Sequence, residues 1–268
     1  MAIEVFNRYE KKYLIDKETC EWLTEKIMSY MNPDKYNRDG HLYNIANIYY
    51  DTPDDRLIRA SIEKPVYKEK LRLRSYGVPE LGDEVFLEIK KKYEGLVNKR
   101  RTRLKLFEAY DLIDRGIVPE DKPYINKQVL REIQYFLRRY NLVPKVYLTY
   151  DRGAFFDKED DDFRVTFDTN ICTRRDDVGL EKGNNGSPLI GNDLWLMEVK
   201  SSKAVPLWFT ELLSEKKIYA TSFSKYGTEY KKMLIKNSRD KGETICLNQF
   251  LQAGQKLQQY QPKGQLSA

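Results

Sequence analysis

The sequence predicts an α+β protein: an antiparallel sheet of about eight strands, able to close into a barrel, with helices packed outside it. Three observations lead there. Strand-like segments come in runs instead of alternating with helices, which disfavours a parallel, doubly wound sheet. Turn residues at 77–82 and 94–95 divide one forty-residue stretch into three consecutive strands, a meander. Most predicted strands are charged on one parity and apolar on the other, and successive side chains on a strand face opposite ways.

The elements follow in order. "EVFNRYEKKYLI" alternates and is rich in strand-forming aromatics. In "DKETCEWLTEKIMSYM", Cys20, Leu23, Ile27 and Met31 recur at helical spacing behind a candidate N-cap, Asp16, until Asn32 and Pro33 stop the helix. "YNIANIYYDT" reads as a strand and "DDRLIRASIEKP" as a short helix ended by Pro65. The meander is "YKEKLRLRSYG", "EVFLEIKKKYEG" and "VNKRRTRLKL". Two helices, "FEAYDLIDRG" and "NKQVLREIQYFLRRYN", carry apolar residues three and four apart. Strands return in "PKVYLTYDRGAFF", "DFRVTFDTNI" and "DLWLMEVKSS", the last two separated by a Gly/Asn-rich loop, and "PLWFTELLSEKK" is a further helix. Residues 1–236 are expected to form one domain, and the Gln/Gly-rich stretch 237–268 a flexible tail.

Composition excludes several kinds of chemistry. With 41% hydrophobic and 33% charged residues in 268, the chain has a core and an unusually charged remainder. The net charge of +6 understates one region: Lys64 to Lys105 holds thirteen Lys or Arg against six Asp or Glu. His41 is the single histidine, and Cys20, Cys172 and Cys246 lie far apart, so histidine triads and His/Cys zinc sites are disfavoured and the thiols are expected to be reduced. The N-terminal stretch is charged, and no run of 18 apolar residues occurs, so a cytoplasmic protein without a membrane segment of its own is expected.

The charged parity carries the functional signal. Arg8, Glu10 and Lys12; Arg72 and Arg74; Glu88, Lys90 and Lys92; Lys99, Arg101 and Arg103; Arg152; Arg164 with Asp168; and Glu198 with Lys200 each share one side of a predicted strand. A solvated outer face accounts for any one of these strands, and Lys91, Lys92, Arg100 and Arg101 read equally well that way. Six or seven strands repeating the pattern also fit a barrel interior. Like charges a few ångströms apart repel by about 1 kcal/mol per pair even in bulk water, so such an interior calls for a polyanion. Arginine forks and lysine ammoniums both suit phosphate oxygens, and Glu10, Glu88 and Glu198 suit Mg²⁺ or Mn²⁺. Glu198, set among apolar residues, needs either a metal or a lysine such as Lys200. Basic strands with interleaved aromatics also occur in nucleic-acid binders, but the charges are spread from Arg8 to Lys225 and no nucleic-acid motif is present, so no nucleic-acid partner is expected.

"RYEKKYLI", "IYYDT", "KLRLRSYG", "FLEIKKKYEGLVNKRR", "YLTYDRGAFF", "FRVTFDTNI", "LMEVKSS" and "SFSKYG" occur in the order and form of VTC-domain proteins of the triphosphate tunnel metalloenzyme (CYTH-like) superfamily, and the chain resembles a prokaryotic single-domain version from Phe6 to Leu234. The resemblance implies a tunnel of eight antiparallel strands that transfers the γ-phosphate of ATP onto inorganic polyphosphate, with Mn²⁺ or Mg²⁺ and room for a membrane partner protein. It implies Lys12, Arg72, Arg74, Lys90, Arg152, Arg164 and Lys225 as the catalytic phosphate-binding set, and Glu198 as the metal ligand. Lys99, Lys200, Ser224, Tyr150 and Glu10 are implied as further substrate-binding positions. The hydrolases of the superfamily begin E-x-E-x-K, whereas this chain has Arg8, Glu10 and Lys12, which shifts the expectation from hydrolysis towards polymerisation. A tripolyphosphatase, a nucleoside triphosphatase or a noncatalytic polyphosphate or nucleotide binder are the alternatives.

Overall fold

The computed structural model describes residues 9–240 except positions 38, 39, 64, 95 and 161. Alternation in "YEKKYLID" gives strand β1 (Tyr9–Asp16), whose last residue caps helix α1 (Lys17–Ile27) by accepting from the Thr19 N–H at 2.7 Å. Strand β2 (Met31–Pro33) precedes β3 (Tyr43–Asp51) and helix α2 (Arg56–Ile62). The meander is β4 (Tyr67–Tyr76), β5 (Glu84–Tyr93) and β6 (Leu96–Lys105). Helix α3 (Leu106–Arg115) ends at Gly116, whose φ of 69° suits a residue without a side chain. Helix α4 (Lys127–Arg139) leads to β7 (Val143–Asp157), β8 (Arg164–Arg174), β9 (Ser187–Pro188) and β10 (Leu194–Ser201). Helices α5 (Leu207–Glu215) and α6 (Lys225–Asp240) follow, so α6 crosses the expected boundary at 236. Arg8 and residues 241–268 of the expected tail lie outside the described residues. No described helix is long and apolar enough to cross a membrane.

All ladders are antiparallel, in the order β1-β10-β8-β7-β3-β4-β5-β6, with β2 on β7 and β9 on β8. Two expectations change. The sheet has ten strands and not eight, because β2 and β9 are proline-containing pieces of three and two residues, too short to show a period. No ladder joins β1 to β6 among the described residues, so the sheet is open where a closed barrel was expected. Alternation decides which face a side chain takes, whereas closure depends on strand tilt and stagger, which alternation does not encode. The sheet is nevertheless curled. Lys90 Nζ on β5 reaches Glu10 Oε2 on β1 at 3.7 Å although five strands separate them in the order, which only a sheet concave on its charged face allows.

The apolar parity packs on the convex side. Leu71, Leu73, Val85, Leu87, Ile89 and Leu104 lie under α3 and α4, and Tyr13, Ile15, Val165, Met197 and Val199 under α1 and α5. Part of the concave side is apolar too, where Ile45, Val146, Leu148, Ile171 and Leu196 are covered by Ile58 of α2 and Tyr226 and Tyr230 of α6. A bulge marks the border on β8: two residues of β8, Asn170 and Ile171, answer one of β7, Tyr150, between the pairs Thr149–Cys172 and Asp151–Thr169, with Asn170 at φ 51°. The extra residue reverses parity, so Arg164, Thr166 and Asp168 face the concave side before it and Ile171 after it.

Asp51 joins this plug to the sheet. Its carboxylate accepts from the N–H groups of Thr52, Leu57 and Ile58 and from the Tyr226 hydroxyl, at 2.8, 2.8, 2.9 and 3.1 Å, while fully buried. Asp51→Ala leaves those donors without their acceptor and is expected to lower stability by roughly 3 kcal/mol, read as a lower urea midpoint with an unchanged m-value.

Candidate functional site

The charged remainder of the concave face is organised around three buried carboxylates, each set by ladder register. Glu88 on β5 lies directly across from Arg72 on β4, which it meets at 2.5 Å; Lys99 of β6 reaches it at 2.6 Å and Arg74 at 3.9 Å. Asp168 on β8 lies across from Arg152 on β7 and accepts both arms of its guanidinium, at 2.6 and 2.7 Å, together with Lys225 at 2.5 Å. Glu198 on β10 lies across from Lys12 on β1. Its Oε1 takes Lys225 at 3.1 Å and Lys12 at 3.3 Å, and its Oε2 takes Lys200 at 3.1 Å and Arg152 at 3.8 Å. Lys12 also reaches Glu10 at 3.1 Å, so one ammonium bridges two carboxylates.

Neighbouring polar groups aim the arginines. Asn47, fully buried on β3, donates to the Leu148 carbonyl and accepts from Arg74 Nε at 3.0 Å. The Tyr150 hydroxyl stands 3.3 Å from Arg74 Nη2, with Arg152 and Lys225 against its ring at 5.0 and 4.5 Å. Arg164 lies over Phe156 at 4.4 Å and 3.6 Å from Asp34.

Titration reflects this crowding. Burial acts to raise Glu88 and Glu198, but Arg72, Arg74 and Lys99 around the first and Lys12, Lys225, Lys200 and Arg152 around the second hold both well below the usual carboxylate range. Glu10 is opposed by burial and Glu198, yet Lys12, Lys90 and Lys200 bring it to about 2. Burial would raise the Tyr150 hydroxyl, and Arg152, Arg74 and Lys225 overcome it and lower it. The cations are less well compensated. Lys70, Lys90 and Lys99 stand side by side across β4, β5 and β6, an arrangement that costs free energy when like charges face one another. Lys70 has no carboxylate within salt-bridge distance among the described residues; burial, then Lys90, Lys68 and Lys12, lower it to about 7 against the pull of Asp51. Lys99 also falls to about 7, through burial and then Arg74 and Arg72, in spite of Glu88.

Of the residues singled out in the sequence, Lys12, Arg72, Arg74, Lys90, Lys99, Arg152, Arg164, Lys200, Lys225, Tyr150, Glu10 and Glu198 share the concave face. Ser224 does not join them. It is exposed just before α6 and its Oγ accepts from the Gly227 N–H at 3.2 Å, as a helix cap does, while Lys225 alone turns inward. Asp168 pairs with Arg152 and Lys225 and not with Arg164, because side-chain partners follow ladder register more than sequence spacing. Lys91 and Arg100 are outside, bound to Glu132 of α4. The residues not foreseen as site members are Lys70, which continues the parity of Arg72 and Arg74, and Glu88 and Asp168 in their role as partners of the cations.

No three His, Cys, Asp or Glu side chains gather as a metal cluster among the described residues. Glu198 and Glu10, bridged by Lys12, still fit a hard divalent cation of the kind that takes one or two carboxylates and completes its shell with water and phosphate oxygens.

The VTC domain family matches residues 7–234. The chain belongs to that family. Subunit 4 of the vacuolar transporter chaperone complex is 26% identical over 204 residues in Schizosaccharomyces pombe, covering 67% of this chain and 28% of the relative. In Trypanosoma brucei brucei the corresponding subunit is 25% identical, covering 84% and 34%. This VTC domain chain thus spans about a third of the length of those relatives. Among solved structures, a candidate adenylate cyclase from Bacillus halodurans superposes with a TM-score of 0.51 at 15% identity, covering 82% of this chain and 96% of that one, a likeness of fold.

If the carboxylates hold the cations together, Glu88→Gln leaves Arg72, Arg74 and Lys99 uncompensated. The ligand-free variant is expected to lose about 3 kcal/mol, visible as a lower melting temperature, and added tripolyphosphate to restore more stability to it than to the parent protein.

Proposed function

We propose that this VTC domain binds a chain of phosphates along its concave face and, with a divalent metal, transfers the γ-phosphate of ATP to growing inorganic polyphosphate. One observation carries the reading: ten Lys or Arg side chains (Lys12, Lys70, Arg72, Arg74, Lys90, Lys99, Arg152, Arg164, Lys200 and Lys225) face four carboxylates on one curved surface, with three of the lysines directly opposed. The excess positive charge matches a polyanion, and the spread over β1, β4, β5, β6, β7, β8, β10 and α6 matches an elongated one. Family membership and the named relatives, both subunits of a complex, favour polyphosphate over nucleic acid and leave a place for a membrane partner that receives the product.

Little covalent chemistry is asked of the protein. In-line phosphoryl transfer is governed by positioning and neutralisation of charge, which Arg72, Arg74 and Arg152 supply as rigid forks and Lys12, Lys99 and Lys225 as ammoniums. A terminal phosphate acceptor is already ionised, so the face needs no general base. Mn²⁺ or Mg²⁺ held by Glu198, with Glu10 beside it, would supply further neutralisation of phosphate oxygens.

Purified protein given ATP and Mn²⁺ is expected to form a long phosphate polymer, resolved by gel electrophoresis. Glu198→Ala should lower the rate by about 100-fold or more while the protein still melts cooperatively. Free phosphate as the sole product points to a hydrolase, and ligand-induced stabilisation without turnover to a sensor.

Lys70 and Lys99, near 7 in the free protein, regain their protons beside a bound polyanion. Tripolyphosphate affinity is therefore greatest below pH 7 and declines as pH rises through that value. Between pH 7 and 8.5 binding takes up protons, measurable by calorimetry in two buffers of different ionisation enthalpy.

A further inference from the structure

An aromatic cluster stands at one end of the cationic face. Tyr36 follows β2, Tyr43 opens β3, Tyr76 closes β4 and Phe86 lies early in β5. Tyr36 and Tyr76 are stacked, with centroids 6.1 Å apart and planes 19° apart; Tyr43 lies 5.8 Å from Tyr36 and 6.1 Å from Tyr76, and Phe86 meets Tyr76 edge-on at 5.8 Å. The guanidinium of Arg101 covers Phe86 at 4.7 Å. Tyr43 packs against the buried cluster under α6, but Tyr36 and Tyr76 are not core. Tyr36 is 58% exposed and Tyr76 47%.

Ladder register ties the rings to the phosphate site. Phe86 is directly across from Arg74, and Tyr43 directly across from Arg152. Tyr76 is two residues beyond Arg74 on the same side of β4, about 7 Å along the strand. The order along β4 is therefore Tyr76, Arg74, Arg72, Lys70, and along β5 it is Phe86, Glu88, Lys90. Along β4 a ring gives way to arginines and the arginines to a lysine. A bare phosphate chain has no use for π faces, whereas a nucleoside triphosphate carries a flat base at one end of its phosphates, and bases stack on exposed aromatic rings.

We infer that Tyr36 and Tyr76, backed by Phe86, form a stacking platform for the base of a nucleoside triphosphate whose phosphates lie on Arg74 and Arg152. This rests on the phosphate-binding reading above and gives the trough a direction: the nucleotide occupies the Tyr76 end, and the phosphate acceptor the end lined by Lys70 and Lys90. Recognition through ring faces carries no hydrogen-bond code, so purine nucleotides are accepted alike.

Calorimetric titration of ATP and of tripolyphosphate into the parent protein, Tyr36→Ala, Tyr76→Ala and Tyr76→Phe tests it. Each alanine variant is expected to bind ATP about tenfold more weakly, Tyr76→Phe to keep its affinity, and tripolyphosphate to bind all four proteins alike. Equal losses for both ligands would show that the rings only support the fold. Unchanged ATP affinity in the alanine variants would remove the base from this platform. If the parent protein binds neither ligand, the phosphate-binding reading fails first and this inference falls with it.

Discussion

The structure depends on carboxylates set among like charges. A sheet face bearing so many guanidinium and ammonium groups repels itself, and the repulsion grows as the face curls and brings β1 towards β5. Glu88, Asp168 and Glu198 make the curl tolerable, holding three, two and four cations respectively, from at least two strands or from a strand and α6. On the proposed function, their oxygens stand in the ligand-free protein where oxygens of a bound phosphate chain would otherwise compensate the same cations. The same groups that allow the fold thus hold the cations in fixed positions, and cations held ready would reorganise less when the proposed anion binds.

This arrangement needs a boundary, which apolar packing provides. Concave positions beyond Tyr150 and Asp168 are filled by Leu148, Ile171 and Leu196, and α6 lies over them with Tyr226 stacked on Tyr49 at 4.8 Å. The first residue of that helix is Lys225, so the segment that seals the apolar part also delivers a cation to Asp168 and Glu198. Asp51 fixes α2 and α6 to the strand that carries Asn47 and Tyr49. Core, seal and charged surface are therefore one construction.

How much of this was legible in the sequence depends on the range of the interaction that decides it. Leu71 and Leu73 against Arg72 and Arg74 is a local alternation, and the structure follows it on both faces. Asp16 as a helix cap is likewise local. Partnership across strands is not: Asp168 sits four residues from Arg164 yet pairs with Arg152 and Lys225, a choice made by register and by the position of α6. Ser224 adjoins Lys225 in sequence but is turned out of the face by the start of a helix, which neighbouring letters do not reveal. Whether the sheet closes is the least local property of all, since it depends on the tilt of every strand together.

Under the proposed function, the open edge between β1 and β6 bears on how a long product would be held. A closed tube encircles its polymer, which must thread out end first however weakly it is bound. A trough spanned at its lip by side chains such as Glu10 and Lys90 would retain such a polymer by charge alone. Residence time in such a trough is set by ionic strength, because counterions compete for the same lysines, and a chain of any length can lift away sideways without its end being found.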